Sequence, residues 1–74
     1  MKKVNIRTQR HDWESGEKAA QALNDLSGVV AAEAHGQNLT AYAGDRLSQQ
    51  AMTDALDQAG VPGQVVGEEP VTEP

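Results

Sequence analysis

The sequence predicts one α+β domain of element order βαββαβ, with a four-stranded antiparallel sheet and two helices on one face. Two segments repeat apolar residues at helical spacing, and each leads to a Gly-Val pair, Gly28-Val29 and Gly60-Val61. Short segments that alternate apolar and polar residues surround these helices, and residues 35–38 contain the Gly and Asn of tight hairpins. With right-handed crossovers, two βαβ halves of this kind close into a ferredoxin-like sheet.

The first half of the chain predicts a strand, a loop and a helix. Residues 2–8 alternate in the period of a half-buried strand, and residues 9–16 are polar and predict a loop that leads into the helix. From Ser15 onward one apolar stripe predicts the first helix, which ends before Gly28; the stripe consists of Ala19, Ala22, Leu23 and Leu26. Asp12 or Ser15 is the expected N-cap, because either side-chain oxygen can accept a bond from the first helical turn.

The second half repeats this design after a hairpin. Residues 29–34 and 39–43 predict two antiparallel strands, and Ser48 is the expected cap of the second helix. The stripe of that helix consists of Met52, Ala55, Leu56 and Ala59.

The C-terminal residues predict a short last strand and an acidic tail. Residues 64–66 can return to the sheet, whereas residues 67–74 combine prolines with acids and predict a disordered tail. The predicted domain therefore spans residues 1–66.

Composition excludes several classes of protein. The chain has no Cys, which rules out disulfides and thiolate zinc sites. Its net charge of -5 argues against a surface that neutralises nucleic-acid phosphates. No stretch approaches the roughly 18 apolar residues that a membrane span needs, so we expect a cytoplasmic protein with no membrane partner. A Ser-His-Asp arrangement, a phosphate-binding Gly-rich loop and a carboxylate cleft are all absent from the sequence pattern, which predicts a non-enzymatic domain.

Residues 2–66 resemble a heavy-metal-associated domain of the copper-chaperone type. The resemblance rests on the loop around Arg10, on Ala22-Leu23 before Gly28-Val29, and on Ala55-Leu56 before Ala59-Gly60-Val61. In that family a Met-x-Cys-x-x-Cys loop follows the first strand and holds the metal ion. The family spacing places the two cysteine positions at Asp12 and Ser15 and the Met position at Arg10, so the motif is replaced by Asp12-x-x-Ser15.

This replacement changes the metal that the loop can bind. Two thiolates suit soft Cu(I), whereas a carboxylate is a hard ligand and a Ser hydroxyl is a weak one, so Cu(I) is disfavoured. If the loop binds metal, the expected residues are His11, Asp12, Glu14 and Ser15, with Glu17 as a further carboxylate. This set would favour Zn(II), Ni(II) or Cu(II). The alternative for Asp12 is a purely structural role as helix cap.

A second function class is protein interaction or self-association. Trp13 is the candidate partner-binding residue, because Trp is enriched among binding hot spots. The alternative is that its ring covers the open end of the small core. The water-exposed sheet face, where we expect Lys3, Asn5, Arg7, Thr40 and Tyr42, or a sheet edge could also bind a partner or a second copy. His35 is expected to be an ordinary exposed residue of the hairpin turn.

Overall fold

The computed structural model describes residues 1–9 and 12–71, and it confirms the predicted fold class. Over these residues the chain forms β1 Lys2–Thr8, α1 Trp13–Asn24, β2 Val29–His35, β3 Asn38–Ala43, α2 Gln49–Gln58 and β4 Gly63–Pro70. The strands lie in one sheet in the order β2-β3-β1-β4, and neighbouring strands are antiparallel. Neither helix in this part of the chain has the length and apolar character that crossing a bilayer requires.

The core lies between one sheet face and the two helices. Ile6 of β1 is opposite Leu39 of β3, and both side chains are buried. Leu23 of α1 and Leu56 of α2 are buried against this layer. The other members of the cluster are Val4, Ala19, Ala32, Ala41, Ala43, Met52 and Val61. Because many of these side chains are alanine, the helices can lie close to the sheet.

Helix α1 begins earlier and ends earlier than predicted. It starts at Trp13 and stops at Asn24, and Leu26 packs against the core from the turn that follows. The Leu26 N–H donates to the Leu23 carbonyl oxygen at 3.1 Å, which is a tighter turn than the α-helix makes. Gly28 completes the turn at a φ of 99°, a conformation that glycine adopts without steric cost. Of the predicted stripe, Ala22 is only half-buried and lies outside the core cluster.

The predicted hairpin and the second helix start are confirmed. His35 pairs with Asn38 across a turn in which Gly36 has a φ of 63°. Ser48 is the N-cap of α2, and its hydroxyl oxygen accepts a hydrogen bond from the Ala51 N–H at 3.1 Å.

The predicted tail boundary is wrong, because residues 67–70 belong to β4. They continue the pairing with β1, which runs from Asn5 opposite Gly67 to Lys2 opposite Pro70 after a register shift. This pairing gives hydrogen-bond partners to the backbone N–H and C=O groups on the edge of β1 that faces away from β3. It therefore stabilises residues 67–70 even though they have no apolar side chains to bury. Pro70 is compatible with this position because it ends an edge strand. The folded domain thus extends beyond residue 66, while residues 72–74 lie outside the described part.

Opposite charges support the extended strand. Lys2 Nζ lies 3.2 Å from Glu68 Oε1, and Gln49 of α2 donates to the same oxygen at 3.2 Å. The hydrogen bond from Gln49 and then the one from Lys2 lower the pKa of Glu68 below its ordinary value. The basic N-terminal strand and the acidic C-terminal strand are therefore neighbours in the sheet.

The start of β4 packs tightly against the core, and it yields a stability prediction. A Cβ at Gly63 would lie 2.9 Å from Ile6 Cγ2 and 3.1 Å from Leu56 Cδ1. We expect Gly63→Ala to lower the free energy of unfolding by about 1–3 kcal/mol through overpacking, as measured by urea denaturation. Gly67→Ala is the matched control, because a Cβ there meets only Asn5 Nδ2 at 3.7 Å. Equal stability of the two variants would contradict the tight contact.

Candidate functional site

The connection between β1 and α1 is anchored at its first end by Thr8. The Thr8 N–H and hydroxyl both donate to the carbonyl oxygen of Gln37, at 2.8 and 3.2 Å. The Thr8 side chain is buried although it is polar, and these bonds compensate its burial. The end of β1 is thereby tied to the β2–β3 hairpin turn.

At its second end, the connection is anchored by Asp12, which is the N-cap of α1. Its backbone is extended, with φ −75° and ψ 149°, and Asp12 Oδ2 accepts a hydrogen bond from the Ser15 N–H at 3.2 Å. The Ser15 hydroxyl lies 2.9 Å from both oxygens of the same carboxylate. Of the two predicted caps, Asp12 is therefore the one used, and Ser15 is its partner inside the first helical turn.

This pair determines which donors the loop presents. The two positions that the resemblance assigns to cysteines are occupied by oxygen groups that are hydrogen-bonded to each other. Ser15 is buried, with 8% exposure, whereas Asp12 is exposed. The donor set at these two positions is thus one exposed carboxylate and one buried hydroxyl, which does not fit a soft ion that requires thiolates.

The other predicted metal ligands are only partly placed. His11 lies outside the described residues. Glu14 and Glu17 are exposed on the first turns of α1, and with Asp12 they line a shallow depression of about 410 Å³ that also includes Lys18. Within residues 1–9 and 12–71, no group of three His, Asp or Glu side chains converges closely enough to hold a metal ion.

Trp13 is exposed, so the interpretation that its ring covers the core is wrong. It is the first residue of α1 and 75% of it is accessible to solvent. The buried side of the helix is formed by Ser15, Gly16, Ala19 and Leu23. Because successive helical residues are about 100° apart, Trp13 falls on the flank of that side rather than at its centre.

That flank of α1 forms one wall of a groove whose other wall is the edge strand β2. The groove has a volume of about 710 Å³. Its lining consists of Trp13, Gly16, Glu17, Ala20, Gln21 and Asn24 from α1, and of residues 32–36 from β2 and the hairpin turn. We name this cavity the α1–β2 groove.

Asn24 closes one end of the groove by bonding to the strand edge. Its side-chain amide donates to the Ala32 carbonyl oxygen at 3.1 Å, and its side-chain oxygen accepts from the Ala32 N–H at 2.9 Å. This contact satisfies both backbone groups that Ala32 turns away from β3. Neither Asn24 nor the groove was predicted from the sequence, because an Asn near a helix end has many local roles.

The open sheet face agrees with the prediction. Lys3 is opposite Tyr42 and Asn5 is opposite Thr40, so these side chains share the face away from the helices, where Arg7 is exposed. Val30 and Val66 are exposed large apolar residues beside the register shifts of β2 and β4.

His35 is exposed as predicted, although it is the last residue of β2 rather than a turn residue. Its Nε2 lies 3.4 Å from Glu33 Oε2 on the same strand. His35 is also one of the residues that line the α1–β2 groove.

Comparison with solved structures gives the fold. The structure is similar to a copper binding domain from a P-type ATPase, with a TM-score of 0.84 at 15% identity, over 93% of this chain and 99% of that chain. It is also similar to the N-terminal domain of a potential copper-translocating P-type ATPase from Bacillus subtilis in the Cu(I)-loaded state, with a TM-score of 0.81 at 18% identity, over 99% of this chain and 96% of that one. Oxidized MerP from Ralstonia metallidurans CH34 matches with a TM-score of 0.81 at 18% identity, over 90% of this chain and 100% of that one. The fold is heavy-metal-associated-like.

No family profile matches the sequence, and no curated protein matches it by sequence. This heavy-metal-associated-like domain is therefore similar to the solved structures in its backbone fold, and not in its sequence. The side chains between β1 and α1 determine its chemistry.

The cap of α1 yields a second prediction. Removing the carboxylate with Asp12→Ala leaves the Ser15 N–H and hydroxyl without this acceptor, and we expect a loss of about 0.5–2 kcal/mol in the free energy of unfolding. Asp12→Asn is the control, because its amide oxygen can still accept the bond from Ser15, and it should lose less. The measurement is chemical denaturation of both variants. An Asp12→Ala variant as stable as the unmodified chain would contradict this role.

Proposed function

We propose that this chain is a non-enzymatic metal-handling domain that binds a divalent metal ion weakly, without thiolates, at the loop from His11 to Glu14. The observation that carries the proposal is the pair of exposed carboxylates, Asp12 and Glu14, at the junction of β1 and α1 in a heavy-metal-associated-like fold. The similar solved domains include one described as copper binding and one in a Cu(I)-loaded state.

The donor chemistry favours borderline divalent ions. Carboxylate and imidazole ligands suit Zn(II), Ni(II) and Cu(II), and the lack of sulfur at positions 12 and 15 disfavours Cu(I). His11 and Asp12 are the main ligands of the proposed site, and Glu14 adds a second carboxylate. Ser15 positions the Asp12 carboxylate through its hydroxyl.

The same geometry explains why binding would be weak. A carboxylate has about four acceptor positions, so capping and cation binding are compatible at Asp12. The N-terminal end of a helix carries partial positive charge, however, and this charge opposes a cation placed there. Exposed carboxylates must also give up hydration to bind it.

A metal titration tests the proposal. We expect Zn(II) to shift the backbone amide NMR signals of residues 11–15 in a saturable way at millimolar metal. His11→Ala and Asp12→Asn should each remove this response, and Asp12→Asn does so while it retains an acceptor for the cap.

The matched control is His35→Ala, which removes an exposed imidazole that lies beside a carboxylate outside the loop. This variant should respond to Zn(II) at residues 11–15 like the unmodified chain. Absence of site-specific shifts, or their loss in His35→Ala alone, would refute the loop as the site.

A gain of function tests whether oxygen in place of sulfur determines metal choice. We expect the double variant Asp12→Cys with Ser15→Cys to take Cu(I) from a chromogenic chelator, because two thiolates three residues apart at a helix start suit this ion. The unmodified chain and the single variant Asp12→Cys should not compete with the chelator. A folded double variant that leaves Cu(I) with the chelator would show that the backbone at residues 12–15 does not hold two thiolates in a metal-binding geometry.

A second candidate function is partner binding, and the exposure of Trp13 favours it. An indole with 75% exposure at the mouth of a groove of about 710 Å³ is the kind of residue that anchors protein interfaces. Burial of this ring by a partner would remove a large apolar surface from water.

A further inference from the structure

We propose that the α1–β2 groove binds a lysine- or arginine-bearing segment of a partner protein, with Trp13 as the anchor. This inference deepens the partner-binding candidate and does not depend on metal binding. It rests on the shape of the groove, on the charge of its α1 wall and on the way in which the β2 edge is closed.

The shape fits a long, thin side chain. The floor is made of small residues, because Gly16 and Ala20 of α1 face Ala32 and Ala34 of β2. At Gly16 the two walls come close together, and a Cβ there would lie 3.5 Å from Ala34 Cβ. The aliphatic stem of a Lys or Arg side chain can cover such a floor while its charged end stays near the polar rim.

The charge of the α1 wall is negative. Glu17 of α1 contributes a carboxylate, and the described residues that line the groove include no Lys or Arg. Glu33 of β2 pairs with Thr40, so its side chain lies on the sheet face away from the helices. Trp13 adds an aromatic face, which attracts cations through its π-system. A carboxylate beside an exposed indole is complementary to a guanidinium or ammonium group, and Arg can also stack on the ring.

The closed strand edge determines how a partner can dock. Asn24 already bonds to both outward backbone groups of Ala32. An extended chain therefore cannot pair continuously along β2 unless it displaces this side chain. The partner is held by side-chain contacts in the groove.

The net charge of the chain favours a basic partner over a second copy of the chain as the occupant of the groove. Each copy of this chain carries a net charge of -5, so two copies repel each other at long range. A basic partner is attracted by the same field, which raises its association rate at low salt.

The fluorescence of Trp13 tests the proposal directly, since it is the only Trp in the chain. The probe is a short, capped peptide of alternating glycine and arginine, and the comparison peptide replaces arginine with glutamine. We expect a saturable change of fluorescence with the arginine peptide that weakens as salt is raised, and no saturable change with the glutamine peptide. Equal responses to the two peptides, or no response to either, would overturn the inference.

Charge variants locate the site. Glu17→Gln should weaken binding of the arginine peptide by roughly two- to fivefold, as expected for a partly exposed ion pair. Glu69→Gln is the matched control, because it removes the same charge from β4 at the opposite sheet edge and should leave the affinity unchanged. If Glu17→Gln binds the peptide like Glu69→Gln, the groove does not recognise cations and the inference fails.

A final variant separates cation recognition from partner binding by Trp13 alone. Trp13→Ala should abolish the peptide-induced NMR shifts at Ala20 and Ala34, which line the groove on opposite walls. If Trp13→Ala abolishes binding while Glu17→Gln matches the control, Trp13 anchors a partner but cation recognition is excluded. The Zn(II) response at residues 11–15 reports on the metal proposal separately in each variant.

Discussion

The N-cap of α1 is the interaction on which the functional surface of this domain depends. The Asp12 carboxylate accepts bonds from the Ser15 N–H and hydroxyl, and this contact starts the helix at Trp13. If Ser15 were the cap, Trp13 and Glu14 would lie in the loop and their positions would not be fixed by helical geometry. With Asp12 as cap, Trp13 and Glu17 are one helical turn apart on the flank that faces β2. One cap thus fixes the oxygen donors of the loop and one wall of the groove.

The core does not constrain the chemistry of this loop. It is formed by apolar residues, most of them in the strands and helices, and among the described residues 12–15 only Ser15 is buried. A helix can start with a carboxylate at the cap and a hydroxyl three residues later, and it does not need one particular pair of side chains at these positions. A heavy-metal-associated-like backbone is therefore compatible with a loop that has no sulfur. This is why likeness of backbone establishes the fold here, whereas the metal proposed for the loop depends on its side-chain donors.

Local patterns predicted most of the fold because the strands and helices each bury one face. Alternation revealed β1 and β3, and the apolar stripes revealed both helices, including core residues such as Leu23 and Leu56. Residues 67–70 were misjudged since their stability comes from pairing with β1, which is distant in sequence, and from the contact between Lys2 and Glu68. No local pattern reports on either contribution.

The candidate site was less predictable than the fold. A polar side chain before an apolar stripe predicted an N-cap at Asp12 or Ser15, and the structure shows that Asp12 is the one used. The exposure of Trp13 did not follow, because one aromatic residue at a helix start can lie over the core or beside it, and the helical phase decides between these positions. The groove depends on two elements, α1 and β2, and on the Asn24 bonds between them. Sequence spacing within one element contains no information about such a contact.

The two proposed binding events share one end of α1, and electrostatics couples them. A metal ion at Asp12 and Glu14 would neutralise carboxylates next to Trp13, and it would repel a guanidinium held by Glu17. Each ligand should therefore weaken the other, and thermodynamic linkage requires the two effects to be equal. The coupling is limited because both sites are exposed to solvent, where salt screens charges beyond about 8–10 Å. An acidic domain of this kind would bind its basic partner most tightly when no metal is bound. A carrier that docks in order to deliver an ion would instead bind its partner with the metal in place.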